Sequence, residues 1–226
     1  MRDQERHEEF EMLTLEQMRK VKVLDQLIFG GGTMLRLCFD LPRYSMDFDF
    51  YLKKERRDFL PWVDKLSQAY REMGATITDQ WEKHYSFLWE IRSPSYPRRL
   101  KIEIRKVPDQ SGKTELGIAH SHHSPFQVRL RILTLEQMWQ NKVSALVERR
   151  EIRDAYDLEF LSLRKAGNFK TLKETQITQL AKVLDSFSEQ DFRSTLGAIL
   201  EKEERERVLD SRFSYLRSQI QASLPV

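Results

Sequence analysis

The distribution of proline divides this chain into two parts that suit different structures. Six of the seven prolines lie within the first 125 residues of 226, and the seventh is one residue from the end. Because proline lacks the backbone N–H that a helix interior needs, the long proline-free part is free to be helical. Leu, Glu, Lys, Arg, Gln and Ala dominate this part, and they lose little entropy in a helix. We predict helices over about 134–222, within a C-terminal lobe of residues 133–226.

The part that contains the prolines alternates between helical and extended segments. Apolar residues at helical spacing predict helices over about 15–28 and 56–73. Alternating, β-branched and aromatic runs predict strands, which we place at about 46–51, 75–81, 84–92, 99–107 and 126–132. This order indicates an α+β domain over residues 1–132, with a mixed sheet and flanking helices.

The hexapeptide Leu-Thr-Leu-Glu-Gln-Met occurs twice, beginning at positions 13 and 133. Each copy fits a capping box, in which a threonine hydroxyl and a glutamine three residues later satisfy free backbone N–H groups at a helix start. The two pairs are Thr14 with Gln17 and Thr134 with Gln137. Nothing beyond the six residues repeats, so we predict two independent helix starts.

The composition is that of a folded, heavily charged protein, with 40% hydrophobic and 32% charged residues. The net charge of +3 is too small to indicate nucleic-acid binding by itself. The charged N-terminus has no apolar core of the kind a signal peptide needs, and every apolar run is interrupted before it could span a membrane. A lone cysteine, Cys38, forms no internal disulfide framework. We expect a cytoplasmic protein.

Asp47 and Asp49 are the strongest candidates for chemistry. In a strand they project from one face, while Met46, Phe48 and Phe50 anchor the other face in the core. Two like charges so close cost stability unless a cation lies between them. Oxygen ligands favour Mg²⁺ or Mn²⁺ over zinc. The spacing therefore indicates a divalent-metal site, with a solvated strand face as the alternative.

Glu103 is the candidate for a third carboxylate. It alternates with Ile102 and Ile104, so it shares a strand face with Lys101 and Arg105. If its strand lies beside the first, Glu103 completes the metal site or takes the proton from an attacking hydroxyl. A surface salt bridge to a neighbouring cation is the alternative.

The segment Phe29-Gly30-Gly31-Gly32-Thr33 precedes a short helical stretch. Glycines there allow a phosphate to approach the backbone closely, and the first N–H groups of the helix would face its oxygens. A plain tight turn is the alternative. The segment is not a Walker loop, because no Lys-Ser/Thr pair follows at the required spacing.

Downstream, Lys142 lies on a helical stripe with Met138, Ala145 and Arg149. A lysine there is suited to hold a triphosphate as a point charge, and a solvated helix face is the alternative. Two aspartates on the next helix would orient this lysine or favour the helix N-terminus through its dipole. They are Asp154 and Asp157. Basic residues also cluster on the predicted strands, where they would track an RNA backbone or pair with acidic helices.

Four segments occur in an order that resembles a known family. The segments are Gly31-Gly32-Thr33, Arg43-x-Ser45-x-Asp47-x-Asp49, Lys142-x-x-Ala145-Leu146-x-x-Arg149 and Arg153-Asp154-x-x-Asp157-Leu158. Their order is similar to that in the AbiEii/AbiGii toxin nucleotidyltransferases, with specific motifs at about 29–53 and 131–163. Departures include Met34, where a small Ala is common, and Glu103, where Asp is frequent.

The resemblance implies a polymerase-β-like nucleotidyltransferase core at 1–132, followed by a helical lobe at 133–226. It implies Mg²⁺-dependent transfer of a nucleoside monophosphate from a nucleoside triphosphate to an acceptor hydroxyl, which in some members is the 3′ end of tRNA. Such a protein would be a toxin with a cognate antitoxin. The implied metal ligands are Asp47, Asp49 and Glu103. The same three residues, together with Lys142 and Asp154, are the implied catalytic residues. The implied triphosphate contacts are Gly31, Gly32, Thr33, Arg43, Ser45 and Lys142.

Two other functions stay open on the sequence. One is a catalytically inactive nucleotidyltransferase fold that binds an antitoxin or RNA, although the intact acidic pair argues against it. The other keeps the chemistry but uses a small molecule or a protein as the acceptor. Neither the acceptor nor the preferred base follows from a motif.

Overall fold

The computed structural model describes residues 3–106 and 113–224 of the chain. They divide into two units, one made of Met1–Asp40 and Tyr44–Leu133, and the other made of Leu41–Arg43 and Thr134–Val226. The units are defined by packing alone, so the functional domain boundary at residue 132 stays a prediction. Residue 107 of a predicted strand and residues 225–226 of the predicted lobe lie outside the described residues.

Among its described residues, the first unit contains three α-helices, a short 3-10 helix at Val23–Gln26, and seven strands. The helices are α1 (Asp3–Lys20), α2 (Gly31–Phe39) and α3 (Arg56–Glu72). The strands are β1 (Leu27–Gly30), β2 (Asp47–Leu52), β3 (Thr76–Glu82), β4 (Ser86–Arg92), β5 (Leu100–Arg105), β6 (Thr114–His120) and β7 (Gln127–Leu133). Helices and strands at these positions confirm the predicted α+β fold.

The strands form one mixed sheet in the order β3-β4-β5-β2-β1-β7-β6. The β2–β5 and β1–β7 pairs are parallel, and the other neighbours are antiparallel. Phe29, Phe48 and Phe50 pack against one another on one face, with ring centroids 4.8 to 5.8 Å apart. Because side chains alternate along a strand, Asp47 and Asp49 lie on the opposite face, which we call the carboxylate face.

The second unit is helical, as predicted. Its helices are α4 (Leu135–Arg149), α5 (Ile152–Leu163), α6 (Glu174–Ser186), α7 (Lys202–Ser211) and α8 (Ser214–Gln221), with a π-helical turn at Asp191–Leu196. The short segment Leu41–Arg43 belongs to this unit because Arg43 forms a β-bridge with Leu200. In residues 3–106 and 113–224, no helix combines the length with the apolar character that crossing a bilayer requires.

The predicted helix over 15–28 was wrong in both directions. Helix α1 starts at Asp3, because Phe10 and Met12 are already fully buried, and residues 27–30 form β1 instead. Thr14 is therefore not a helix cap, and its hydroxyl donates to the carbonyl of Phe10 within the helix at 2.8 Å. Met46 was also misplaced, since it precedes β2 and is 38% exposed.

The second copy of the hexapeptide behaves as predicted at one end of its capping box. Thr134 caps α4, and its hydroxyl accepts from the N–H of Gln137 at 3.3 Å. The Gln137 side-chain Nε2 donates to Oδ1 of Asn141 at 3.1 Å.

Candidate active site

The carboxylate face brings Asp49 and Glu103 side by side. Strand β2 runs parallel to β5, with Asp49 in register with Glu103 and Asp47 in register with Lys101. Phe48 and Phe50 are fully buried, so the two aspartates share the opposite, accessible face. The paired projection predicted from the spacing is observed.

The glycine bend lies directly against Asp49. Strand β1 pairs with β2 so that Gly30 is opposite Asp49, and Gly31 has a φ of +75°. A Cβ atom on Gly31 would lie 2.3 Å from Oδ2 of Asp49, so only glycine fits this position. Helix α2 begins at Gly31, and its first N–H groups have no partners within the helix. A helix N-terminus and a carboxylate therefore adjoin.

Thr33 is fully buried and holds the backbone of the acidic strand. Its hydroxyl donates to the carbonyl oxygen of Asp47 at 2.7 Å. This contact differs from the triphosphate contact that we expected. Gly32 is buried in the first turn of α2, and Ser45 is half-buried in the segment that leads into β2.

His7 is a neighbour of this strand that the sequence did not single out. It lies on α1 and is 1% exposed, with Nε2 3.4 Å from the carbonyl oxygen of Met46. Burial lowers the pKa of His7 to about 4, so the ring is neutral near pH 7. Glu11, one turn later, is 1% exposed, and burial raises its pKa well above the usual value. The misplaced start of α1 concealed both residues.

The donor set on the carboxylate face suits Mg²⁺ or Mn²⁺, because its side chains offer oxygen ligands. Two of these carboxylates have a cationic neighbour: Arg105 lies 3.7 Å from Asp49, and Lys101 lies 3.4 Å from Glu103. As oriented, no three His, Cys, Asp or Glu side chains within the described ranges converge as a metal-binding group. The oxygen donors of Asp47 and Asp49 are chemically suited to a divalent metal ion, and the assignment of Asp47, Asp49 and Glu103 as metal ligands stays a prediction.

A cavity of about 800 Å³ lies beside Asp47. Four cations and two carboxylates line it, together with Met46, Thr78 and Pro97; the cations are Arg92, Arg98, Arg99 and Lys101, and the carboxylates are Asp47 and Glu90. The walls therefore favour a polyanionic ligand.

The second unit contains a buried cluster of two cations and two carboxylates. Arg43 donates from Nε and Nη2 to the two oxygens of Asp157, both at 2.6 Å. Lys142 lies 2.7 Å from both Asp154 and Asp157. Burial opposes ionisation of Asp157, but the charges of Arg43 and Lys142 outweigh it and hold its pKa below the usual value.

These contacts change what Arg43 is expected to do. Its side chain is 4% exposed and is committed to Asp157, whereas the resemblance implied a contact with the triphosphate. Lys142 is oriented by Asp154 and Asp157, which was one of the two alternatives for those aspartates. Oδ2 of Asp154 is buried and accepts no hydrogen bond from the described residues.

A family model described as nucleotidyl transferase AbiEii toxin, type IV TA system, matches residues 14–225. The chain belongs to the AbiEii family. It is thus a nucleotidyltransferase toxin of a type IV toxin–antitoxin system. Membership implies a nucleoside triphosphate substrate, a divalent metal ion and an antitoxin partner.

Solved structures that resemble this AbiEii chain share its fold. JHP933 from Helicobacter pylori is 19% identical over 94% of each chain, with a TM-score of 0.55. A putative nucleotidyltransferase from H. pylori is 18% identical over 96% of this chain and 99% of that one, with a TM-score of 0.56. MenT4, a nucleotidyltransferase toxin from Mycobacterium tuberculosis H37Rv, is 19% identical over 98% and 87%, with a TM-score of 0.57. Comparison with the curated proteins gave no match.

Thr33→Val is expected to weaken divalent-metal binding by about tenfold in this AbiEii chain, because groups behind the ligands orient them. Isothermal titration calorimetry with Mn²⁺ measures this metal affinity directly. Thr14→Val is the matched control, since Thr14 is equally buried and also donates to a backbone carbonyl, that of Phe10. Equal Mn²⁺ affinities in the two variants would contradict a role for the Thr33 hydroxyl.

His7 is expected to make the fold less stable as the pH falls. Its pKa is about 4 in the folded chain and 6.5 in the unfolded chain, so between these values the unfolded state binds the additional proton. The resulting loss between pH 7 and pH 5 is about 2 kcal/mol. Glu11 acts in the opposite direction, because its raised pKa stabilises the fold at low pH. Urea unfolding at both pH values measures how much the free energy of unfolding falls between pH 7 and pH 5. In His7→Gln this decrease should be smaller than in wild type by about 2 kcal/mol. An equal decrease in variant and wild type would contradict the lowered pKa of His7.

Proposed function

We propose that this chain transfers a nucleoside monophosphate from a nucleoside triphosphate to an acceptor hydroxyl, with Mg²⁺ held by Asp47 and Asp49. The observation that carries the proposal is the contact between the Gly31 bend and Asp49. A helix N-terminus favours phosphate oxygens, and the acidic pair favours a divalent cation. Their adjacency suits a metal–triphosphate complex.

In the proposed reaction, the acceptor hydroxyl attacks the α-phosphate and pyrophosphate leaves. Bound Mg²⁺ would stabilise the charge that develops on the attacking and leaving oxygens. The N–H groups of Gly31, Gly32 and Thr33, with the Ser45 hydroxyl, hold the phosphates. Glu103 is proposed to accept the proton of the acceptor hydroxyl or to complete the metal site.

Lys142 is proposed to contact the triphosphate with its remaining donor. An ammonium group has three N–H donors, and Asp154 and Asp157 account for two of them. We propose that Arg43 acts indirectly, by holding the Asp157 carboxylate that orients Lys142. Asp154 acts with Asp157 in fixing the direction of the ammonium group.

The proposed acceptor is RNA, with the 3′ end of tRNA as the specific candidate. The cationic cavity beside Asp47 supports a polyanionic acceptor, because Lys and Arg side chains neutralise phosphates. A cationic small molecule such as an aminoglycoside would be repelled by the same walls. We place the reaction in the cytoplasm, with the antitoxin as its regulator.

The direct test is to incubate the purified chain with Mg²⁺, each α-labelled nucleoside triphosphate in turn, and a mixture of acceptors that contains total tRNA, protein and small molecules. Label is expected on the RNA 3′ end with at least one nucleotide. Label on a protein or small molecule would exclude the RNA acceptor. An absence of transfer with every nucleotide and acceptor would instead favour the inactive binding module.

A further inference from the structure

Trp81 differs from the other tryptophans of the chain in its exposure. Trp89 and Trp139 are 1% and 2% exposed and Trp62 is partly exposed, whereas Trp81 is 58% exposed on the edge strand β3. A tryptophan exposes a large apolar ring to water, and such rings are enriched where proteins bind partners. The location of Trp81 on the sheet therefore bears on what it binds.

Strand register places Trp81 in one row with the proposed metal ligands. Trp81 is opposite Leu88, Leu88 is opposite Glu103, and Glu103 is in register with Asp49. Neighbouring strands lie about 4.8 Å apart, so three steps separate Trp81 from Asp49 by about 14 Å.

The direction of the Trp81 side chain follows from its neighbour in β3. The Gln80 side chain contacts Ser67 of α3 at 3.0 Å, and Ser67 also accepts from Trp89. Gln80 therefore points to the face that α3 covers. Because successive side chains alternate, Trp81 projects from the carboxylate face.

The cationic cavity occupies the next row on the same face. Glu90 and Lys101, which line it, are in register with each other, and Lys101 is in register with Asp47. An acceptor strand whose end lies at Asp47 and Asp49 can place its phosphates against these cations. The exposed indole then lies within reach of a base a short distance upstream.

We propose that Trp81 is a stacking residue for an unpaired base of the acceptor RNA, upstream of the hydroxyl that reacts. The inference rests on the proposed function, since it assumes an RNA acceptor at the carboxylate face. Stacking on an aromatic ring tolerates any base, because every base has a π-face. The subsite therefore recognises single-stranded RNA rather than a particular sequence.

The test measures fluorescence anisotropy of a labelled single-stranded RNA oligonucleotide with the full chain and three variants. Trp81→Ala is expected to raise the Kd about tenfold, and Trp81→Phe to restore most of the affinity. Trp62→Ala is the control, because Trp62 is a partly exposed tryptophan on α3, where its ring lies under Lys65. In steady-state transfer, Trp81→Ala should raise the KM for RNA and leave kcat and the KM for the nucleotide unchanged.

The outcomes separate this inference from the proposed function. Equal Kd values for Trp81→Ala and wild type, with RNA still labelled, would overturn the stacking role and leave the RNA acceptor intact. A wild-type chain that neither binds nor labels RNA would overturn both. If Trp81→Ala lost affinity for a protein acceptor instead, the indole would belong to a protein interface and the inference would be wrong.

Discussion

Asp47→Asn and Asp49→Asn are each expected to lower nucleotide transfer by at least about a thousandfold. Asparagine preserves the size of the side chain but removes the charge that a divalent cation requires. Both residues lie on an accessible strand face, so the fold should be retained. Transfer of label from an α-labelled nucleoside triphosphate measures the rate, and Mn²⁺ titration measures the loss of metal affinity.

Asp79→Asn is the matched control for this pair. Asp79 is a half-buried strand aspartate in β3, in register with Glu90, and three strands away from β2. Its loss changes the charge of the sheet by the same amount without touching the proposed metal site, so the rate should stay near that of wild type. Full activity in Asp47→Asn or Asp49→Asn would rule out the metal assignment.

Asp157→Ala is expected to lower the free energy of unfolding by about 3 to 5 kcal/mol, because it leaves two buried cations short of a partner. Arg43 loses both hydrogen bonds of its paired contact, and Lys142 keeps only Asp154. Urea unfolding at pH 7 measures the change. The pKa of Asp157 is lowered in the folded chain, so its contribution is present above the unfolded pKa and is lost as the pH falls through the folded one.

Glu189→Ala is a suitable comparison because it also removes a carboxylate bound by arginine. Glu189 pairs with Arg193 at 2.6 Å, but both side chains are more than half exposed. Solvent screens such a pair, so the variant should unfold close to wild type. If Asp157→Ala were as stable as Glu189→Ala, the buried cluster would not hold the second unit together.

Repetition of one hexapeptide shows how far local sequence predicts structure here. Thr134 caps α4, as the sequence predicted, whereas Thr14 lies inside α1. The six residues are identical, so the difference comes from what precedes them. Residues 3–12 already form a helix before the hexapeptide, because Phe10 and Met12 bury their side chains in the core. A local motif does not reveal this burial.

The candidate site also has features that the local sequence predicts and features that it does not. Alternation in β2 was sufficient to place Asp47 and Asp49 on one face, because a strand period depends only on neighbouring residues. The pairing of Arg43 with Asp157 joins residues 114 positions apart, and only the folded chain reveals it. Strand β6 was missed for a different reason: its apolar residues at a period of two, Leu116 and Ile118, lie on the exposed face, and Gly117 between them is uncommon in strands.

Assignment of Leu41–Arg43 to the helical unit has a consequence for dissecting the molecule. The polypeptide passes between the units three times, so no single cut yields two self-sufficient pieces. A fragment beginning at residue 134 would lack the Arg43 guanidinium that binds Asp157. A fragment ending at residue 133 would contain Arg43 but lack the Asp157 carboxylate. Co-expression of both fragments is therefore the appropriate design for a split version of this toxin.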